Sequence, residues 1–440
     1  MSERPSKILI QGGRIIDPAH GRDGIGDLLI ENGVIRENFP PAEKGESNGS
    51  ENAKREMHRI DAKGMIVVPG LIDLHTHIRE PGFEYKETVA TATAAAAAGG
   101  FTTICCMPNT NPVNDNQSVT ELILEKARTE GVVHVLPIGA ITKGSRGEEL
   151  AEMGELVTAG CVAISDDGLP VMNSEVMRRA MEYAKIFDVP IIDHCEDLNL
   201  TGDGVIFEGS VSTSLGLKGI PAASETVMVA RDIALAELTG GRIHLAHIST
   251  AGSVRLIREA KRRGIPVTAE TCPHYLVLTD ERVMGFDANA KMKPPLATGQ
   301  DLEEVRAGLA DGTIDAIATD HAPHAPDEKN REIDHAPFGI IGLETALSIS
   351  LSLVEEGILS LPDLIGKMTV QPARILGKKM GQLGPGDIAD VTIIDPNVEW
   401  HVSVSDIKSK SKNSPFLGWN MKGRARTVIV AGKIIENKWT

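Results

Sequence analysis

The sequence predicts an α/β fold: a (β/α)8 TIM-type barrel with a small β-sandwich domain formed by both chain ends. Three observations carry this. Between residues 66 and 378, short apolar runs alternate eight times with helix-compatible stretches. The segments 1–65 and 379–440 share another texture, β-rich runs broken by Gly, Asn-Gly and Asp-Pro turns. Neither GxGxxG nor GxxxxGK[ST] follows the first barrel run, which sets aside a doubly wound nucleotide-binding sheet.

The β domain opens with strands expected over Lys7–Asp17 and Asp27–Ile35. Residues 40–57, rich in Glu, Lys, Ser, Asn and Gly, are expected to form a solvated flexible loop. Barrel strands are expected within Met65–His75, Phe101–Met107, Val132–Thr142, Cys161–Ser165, Pro190–His194, Arg242–Ile248, Pro266–Thr271 and Ile314–Thr319. Between them, Lys86–Ala98 (closed by Gly99-Gly100), Glu148–Ala159, Ser174–Phe187, Ser224–Leu238 and Gly252–Arg263 have helical spacing. Asp390–Asp395 and Thr427–Ile435 then return to the β domain.

Composition narrows the function. With 45 Lys+Arg against 61 Asp+Glu, the formal net charge is −16, which argues against nucleic-acid and membrane-surface binding. Aromatics at 3% are too few for base-stacking platforms. Five cysteines without CxxC spacing suggest neither a disulfide framework nor a thiolate metal site. The polar start lacks an apolar h-region and no run of about 18 apolar residues occurs, so a cytoplasmic protein is expected.

Polar residues fall at the ends of the barrel runs, where barrel active sites form. His75 and His77, two apart on a strand, point to the same side. Asp166-Asp167, His194, His247 and Asp320 end four further runs. A lone buried histidine is more often a packing residue, but this set would need partners for many buried polar groups, and a metal supplies them. His75, His77 and Asp320 can serve one ion, and His194 and His247 another, with a strand-4 carboxylate between them. The absence of cysteine from these sets favours Zn2+, with Mn2+ or Co2+ as alternatives.

Pro69-Gly70-Leu71-Ile72-Asp73-Leu74-His75-Thr76-His77 resembles the strand-1 signature of the amidohydrolase superfamily. Four further segments are similar to dihydroorotases of the bacterial class I type: Ile78-Arg79-Glu80-Pro81-Gly82, Met107-Pro108-Asn109-Thr110, Thr319-Asp320-His321-Ala322-Pro323-His324 and Ile341-Gly342-Leu343-Glu344-Thr345. The resemblance runs from about residue 5 to about 436. It implies reversible cyclisation of N-carbamoyl-L-aspartate to L-dihydroorotate, a step of pyrimidine synthesis. It implies two Zn2+ ions held by His75, His77, Asp167, His194, His247 and Asp320. Asp167 is the expected bridge, Asp166 a turn residue, and strand 4 offers no lysine for the carbamylated bridge of many relatives. A hydroxide shared by the ions would attack, with Asp320 shuttling its proton. Arg79, Asn109 and His324 would hold the substrate carboxylate. The resemblance further implies a homo-oligomer, a dimer in the simplest case, and allows a complex with aspartate transcarbamoylase.

Two departures stand out: Lys293 replaces a usual Asn, and Ala297 a usual Arg, so Lys293 is given no substrate role. His244, His274 and His321 are expected as supporting or packing residues. The loop Ala325–Pro337 reads equally as a lid or as inert surface. The competing functions are another cyclic-amide hydrolase (allantoinase or hydantoinase) and a non-catalytic scaffold for aspartate transcarbamoylase. The first would not need a carboxylate clamp; the second should have lost ligands.

Overall fold

The structure, a computed structural model, describes residues 5–39 and 57–437. The loop expected over 40–57 lies outside the described residues except for Met57, which opens a strand. The chain begins with strands β1 (Lys7–Asp17), β2 (Arg22–Glu31), β3 (Val34–Phe39), β4 (Met57–Asp61) and β5 (Ile66–Pro69). Strands β6 (Leu71–Thr76), β7 (Phe101–Cys106), β8 (His134–Gly139), β9 (Ala163–Ser165) and β10 (Ile191–Asp193) follow. A short pair, β11 (Ile206–Phe207) and β12 (Gly219–Ile220), precedes β13 (Ile243–Leu245), β14 (Val267–Thr271) and β15 (Ala316–Ile317). Strands β16 (Val391–His401), β17 (Asn420–Val430) and β18 (Lys433–Glu436) end the chain.

The barrel sheet runs β6-β7-β8-β9-β10-β13-β14-β15, every pair parallel. Its two edges meet through a Thr76–His321 bridge and a hydrogen bond from His77 N to His321 O at 2.9 Å. Asp73 ties the same seam, because its Oδ1 accepts from both His75 N and Thr319 N at 3.0 Å. Helices wrap the outside. The one expected over Lys86–Ala98 starts at Val89, where Thr88 and Thr91 form a reciprocal capping box, and it ends at Gly100 with φ 95°. That over Glu148–Ala159 is shorter, Met153–Ala159, and Ser174–Ala184 continues as a 3-10 turn to Phe187.

The chain-end sheet is ordered β18-β17-β16-β5-β1-β2-β3, with β4 on β1. Strand β1 changes partner along its length: Lys7–Gln11 pairs with β4, Arg14–Ile15 with β5, and the register shifts between Ile10 and Gly13. The two parts of the sheet thereby fold over a shared apolar filling that includes Ile8, Leu28, Ile35, Val391 and Ile429. The expected single run Met65–His75 is in fact two strands. A Cβ on Gly70 would lie 2.0 Å from Thr102 Oγ1, and Gly70 N donates to Asp390 O at 2.9 Å. The chain therefore breaks at Gly70: β5 joins the end sheet and β6 opens the barrel. Between β16 and β17, residues 402–419 leave the end sheet and reach the barrel mouth, where Lys408 N and Ser409 N donate to Glu344 Oε1.

Candidate metal centre and substrate pocket

Strand β6 delivers His75 and His77 to the C-terminal mouth, with the buried Asp73 gripping the backbone between them and β15. After β9, the chain presents two adjacent aspartates in opposite directions. Asp166 turns away and accepts from Ile141 N at 2.8 Å, Thr142 N at 3.0 Å and the Thr142 hydroxyl. Asp167 turns into the mouth, its Oδ2 3.3 Å from His75 Nε2 and 3.5 Å from His77 Nε2. Its Oδ1 lies 3.7 Å from both His194 Nδ1 and His247 Nε2. Asp320 completes the cluster, with Oδ1 2.9 Å from His77 Nε2 and 3.5 Å from His75 Nε2. All six side chains are buried. Arg79, His247 and Asp320 have φ of 67°, 37° and 47°, a left-handed backbone that non-glycine residues adopt under constraint.

The donor set fits a metal. His75 Nδ1 faces Glu270 Oε1 at 2.8 Å, and His77 Nδ1 faces Asn109 Oδ1 at 2.9 Å, so both Nδ1 atoms carry the proton. Each Nε2 is thereby aimed at carboxylate oxygens, where it must either take up a second proton or share a cation with them. His194 Nε2 likewise donates to Glu196 Oε2 at 3.0 Å, which aims Nδ1 at His247 Nε2, 2.8 Å away. Asp167 Oδ1 has no hydrogen-bond partner. Lone pairs converging this closely in a buried site call for a cation. Two triads, His75–Asp167–His247 and His75–His77–Asp320, have ligand atoms within 4.8 Å of one another. Asp193, Cys195 and Asp232 are also close, but there Arg231 supplies the positive charge, 3.2 Å from Asp193 and 2.7 Å from Asp232.

Without a cation, protons on the histidines balance these carboxylates, and a bound metal would displace them. Burial opposes ionisation of Asp320, yet His75 and His77 hold its carboxyl at about 2. Burial also opposes charge on His194, but Asp167 and Glu196 raise its pKa to about 9. Asp166, by contrast, is pushed up to about 6 by burial despite its hydrogen bonds.

Beside the cluster lies a cavity of about 260 Å3. Arg79, Asn109 and His324 all line it, together with Lys293 and the Phe338-Gly339 turn. Arg79 Nε donates to Pro323 O at 3.2 Å. His324 is neutral, because burial and then Arg79 and Lys86 push its pKa down to about 2. Its Nε2 donates to Phe338 O at 2.7 Å, and its Nδ1 accepts from Lys86 at 3.3 Å. Lys293 pairs with Glu196 Oε1 at 2.9 Å and lies 4.9 Å from the Phe338 ring centroid. In the loop Ala325–Pro337, Pro326–Lys329 is a helical turn, and the buried Lys329 ammonium donates to Lys291 O, Pro337 O and Gly339 O at 3.2, 2.9 and 3.0 Å.

Three buried carboxylates were not anticipated. Glu270 on β14 bridges His75 and His244 (3.1 Å to Nε2), Glu196 orients His194, and Glu87 lies 3.4 Å from His321 Nε2. Position two after His194, and alternation along β14, are the only sequence signals for the first two. His244 and His321 thus pack beside the strands that bear the candidate ligands, and His274 packs edge-on to Tyr275, with ring centroids 4.1 Å apart.

A dihydro-orotase-like family model matches residues 64–253. The chain is 58% identical over 431 residues to a dihydroorotase from Geobacter metallireducens, covering 98% of this chain and 100% of that protein. It is 54% identical over 429 residues to a dihydroorotase from Syntrophus aciditrophicus, covering 98% of this chain and 99% of the relative. Among solved structures, an L-hydantoinase from Arthrobacter aurescens superposes with a TM-score of 0.87 at 23% identity, covering 98% of this chain and 96% of the other. A dihydropyrimidinase from Brevibacillus agri gives 0.84 at 23%, covering 98% and 95%. At that identity the likeness speaks for the fold alone.

Proposed function

The chain belongs to the dihydroorotase family, and from that premise we propose that it interconverts N-carbamoyl-L-aspartate and L-dihydroorotate. The observation that carries the reading is the junction, in one cavity, of the histidine–aspartate cluster with the Arg79 guanidinium. A cyclic amide bearing a carboxylate needs both. Rings without a carboxylate leave Arg79 without a task, which argues against allantoin or hydantoin as the substrate. The retained ligand set argues against a mere scaffold.

His75, His77 and Asp320 would hold one Zn2+, and His194 and His247 a second, with Asp167 shared between them. The ions, when bound, supply a Lewis acid and lower the pKa of water. The protein's own residues do the rest. Arg79 and Asn109 receive the substrate carboxylate, and His324 joins them by exchanging Phe338 O for a carboxylate oxygen. In the hydrolytic direction water adds to the ring amide carbon and the C–N bond breaks. Asp320 accepts the proton that water loses and returns it to the departing nitrogen. Glu270, Asn109 and Glu196 hold the three imidazole tautomers that this geometry requires.

No helix among the described residues is long and apolar enough to cross a membrane. A cytoplasmic location fits the family's chemistry, and a dimer or a transcarbamoylase complex is decided by light scattering of the purified protein with and without the partner. The test of function is direct. Protein loaded with Zn2+ should open dihydroorotate at mildly alkaline pH and close N-carbamoyl-aspartate at mildly acidic pH, and chelation should abolish both. Fully loaded protein that does neither would overturn the reading.

A further inference from the structure

The loop that follows β15 carries Asp320 and His324 at its start and the Phe338-Gly339 wall of the cavity near its end. One side chain from outside the barrel joins these two stretches. Asn413 belongs to the 402–419 excursion between β16 and β17, and is 4% exposed. Its Oδ1 accepts from His324 N at 3.1 Å. Its Nδ2 donates to Ala322 O at 3.0 Å and Gly339 O at 3.1 Å, and its backbone O accepts from Ile341 N at 3.0 Å. Both ends of the amide are thus spent on the two limbs of this one loop, where burial keeps water from replacing them.

The fit is close. A Cβ on Gly339 would lie 3.0 Å from His324 Nε2, and 2.9 Å from Ala322 Cβ, so the limbs pass at van der Waals contact where Asn413 bridges them. The neighbours of Asn413 anchor the excursion in turn. Ser409 Oγ donates to the buried Glu87 carboxylate, Lys410 N donates to Glu87 Oε1 at 3.1 Å, and Ser411 Oγ donates to Lys86 O at 2.7 Å. The excursion is therefore fixed to the loop after β6, which bears Arg79, as well as to the loop after β15, which bears His324.

We propose that Asn413 is a positioning residue for the substrate carboxylate: it sets His324 and the Phe338-Gly339 turn against Arg79, so that the chain-end β sheet completes a pocket the barrel cannot form alone. The proposal rests on the functional reading above for the identity of the anion, but not for the clamp itself. Because the carboxylate is held alike before and during reaction, the consequence falls on binding more than on chemistry.

Two measurements on the full-length, zinc-loaded protein test it. The first needs no substrate: hydrogen–deuterium exchange over 322–341 in the wild type, Asn413→Ala and Asn413→Asp. Asn413→Asp retains the acceptor for His324 N but sets an acceptor against two carbonyls, and it carries the test if the alanine variant does not fold. Exchange should quicken across both limbs; unchanged exchange overturns the proposal. The second is kinetic. Asn413→Ala should raise KM for dihydroorotate about tenfold or more with kcat within about threefold. In a His324→Ala background the same change should add little. Additive effects, or a fall in kcat at constant KM, would also overturn it. Should wild-type protein fail to consume dihydroorotate, the functional reading falls, while the exchange result still decides the role of Asn413.

Discussion

Glu270 Oε1 lies 2.8 Å from His75 Nδ1, and this contact decides which nitrogen of His75 faces Asp167 and Asp320. Glu270 is itself fully buried and shared with His244, 3.1 Å from its Oε2. Burial opposes its ionisation, but His244 and His75 hold its carboxyl at about 2. His75 is thus prepared from β14, two strands away around the barrel, before any cation arrives.

Removing that support should loosen the metal. Glu270→Ala is expected to weaken Zn2+ affinity by about 10- to 100-fold, and Glu270→Gln, which keeps an acceptor, by less. Competition with a chromophoric chelator measures both. Equal affinity in all three proteins would mean that His75 is oriented by something else.

Asp320 and Asp166 separate chemistry from architecture. Asp320→Ala should lower kcat by about 10^2- to 10^4-fold, the range of a lost general acid–base group. Asp166→Ala should keep turnover within about tenfold but cost about 1–3 kcal/mol of stability, since Ile141 N and Thr142 N lose their buried acceptor. Denaturant titration and steady-state kinetics of both variants check the pattern. The reverse order would mean that the roles are exchanged.

Arg79 should matter in proportion to the negative charge of the substrate. Arg79→Met is expected to raise KM for dihydroorotate by about 10- to 100-fold, the scale of hydrogen bonds to a charged group. Any residual activity on hydantoin should be unchanged. A parallel loss on both substrates would move Arg79 from carboxylate recognition to general pocket architecture.

Stability should carry one legible pH signature away from the metal. His134, where β8 begins, pairs with Asp390 ahead of β16 at 3.1 Å and joins barrel to end sheet. The hydrogen bond to Asp390 raises the His134 pKa above 6.5 against the opposing effect of burial. A raised histidine pKa stabilises fully below the unfolded value of about 6.5 and is lost as pH rises through the folded one. His134→Gln should therefore destabilise more at pH 5.5 than at pH 8.5, by less than about 1 kcal/mol because the imidazole is partly exposed. Urea melts at the two pH values read this, and equal effects would contradict it.

Much of this site was legible because its candidate ligands are histidines and aspartates at strand ends, where the eightfold rhythm of apolar runs marks the barrel mouth. The HxH spacing alone puts His75 and His77 on one side of β6. What escaped was support: Glu270 and Glu196 carry only the weak signals of strand alternation and nearness to His194, Glu87 carries none, and only the closed barrel brings Glu270 and Glu87 to their histidines. Asn413 lies about 90 residues from His324, in the excursion between β16 and β17. The split of Met65–His75 was nearer to hand, since Pro69-Gly70 punctuates the run, but its cause, Thr102 against Gly70, is tertiary. The left-handed backbones of Arg79, His247 and Asp320 left no trace in residue type at all.

The central claim is that one cavity unites a hydrolytic metal centre with a clamp for a carboxylate-bearing ring. The most direct test is kcat/KM of the zinc-loaded protein for dihydroorotate, hydantoin and allantoin, measured side by side. Dihydroorotate should be preferred by at least about 100-fold, the worth of a charged contact that the other two rings cannot make. Opening of hydantoin or allantoin at an equal or higher rate, with dihydroorotate left intact, would contradict the account.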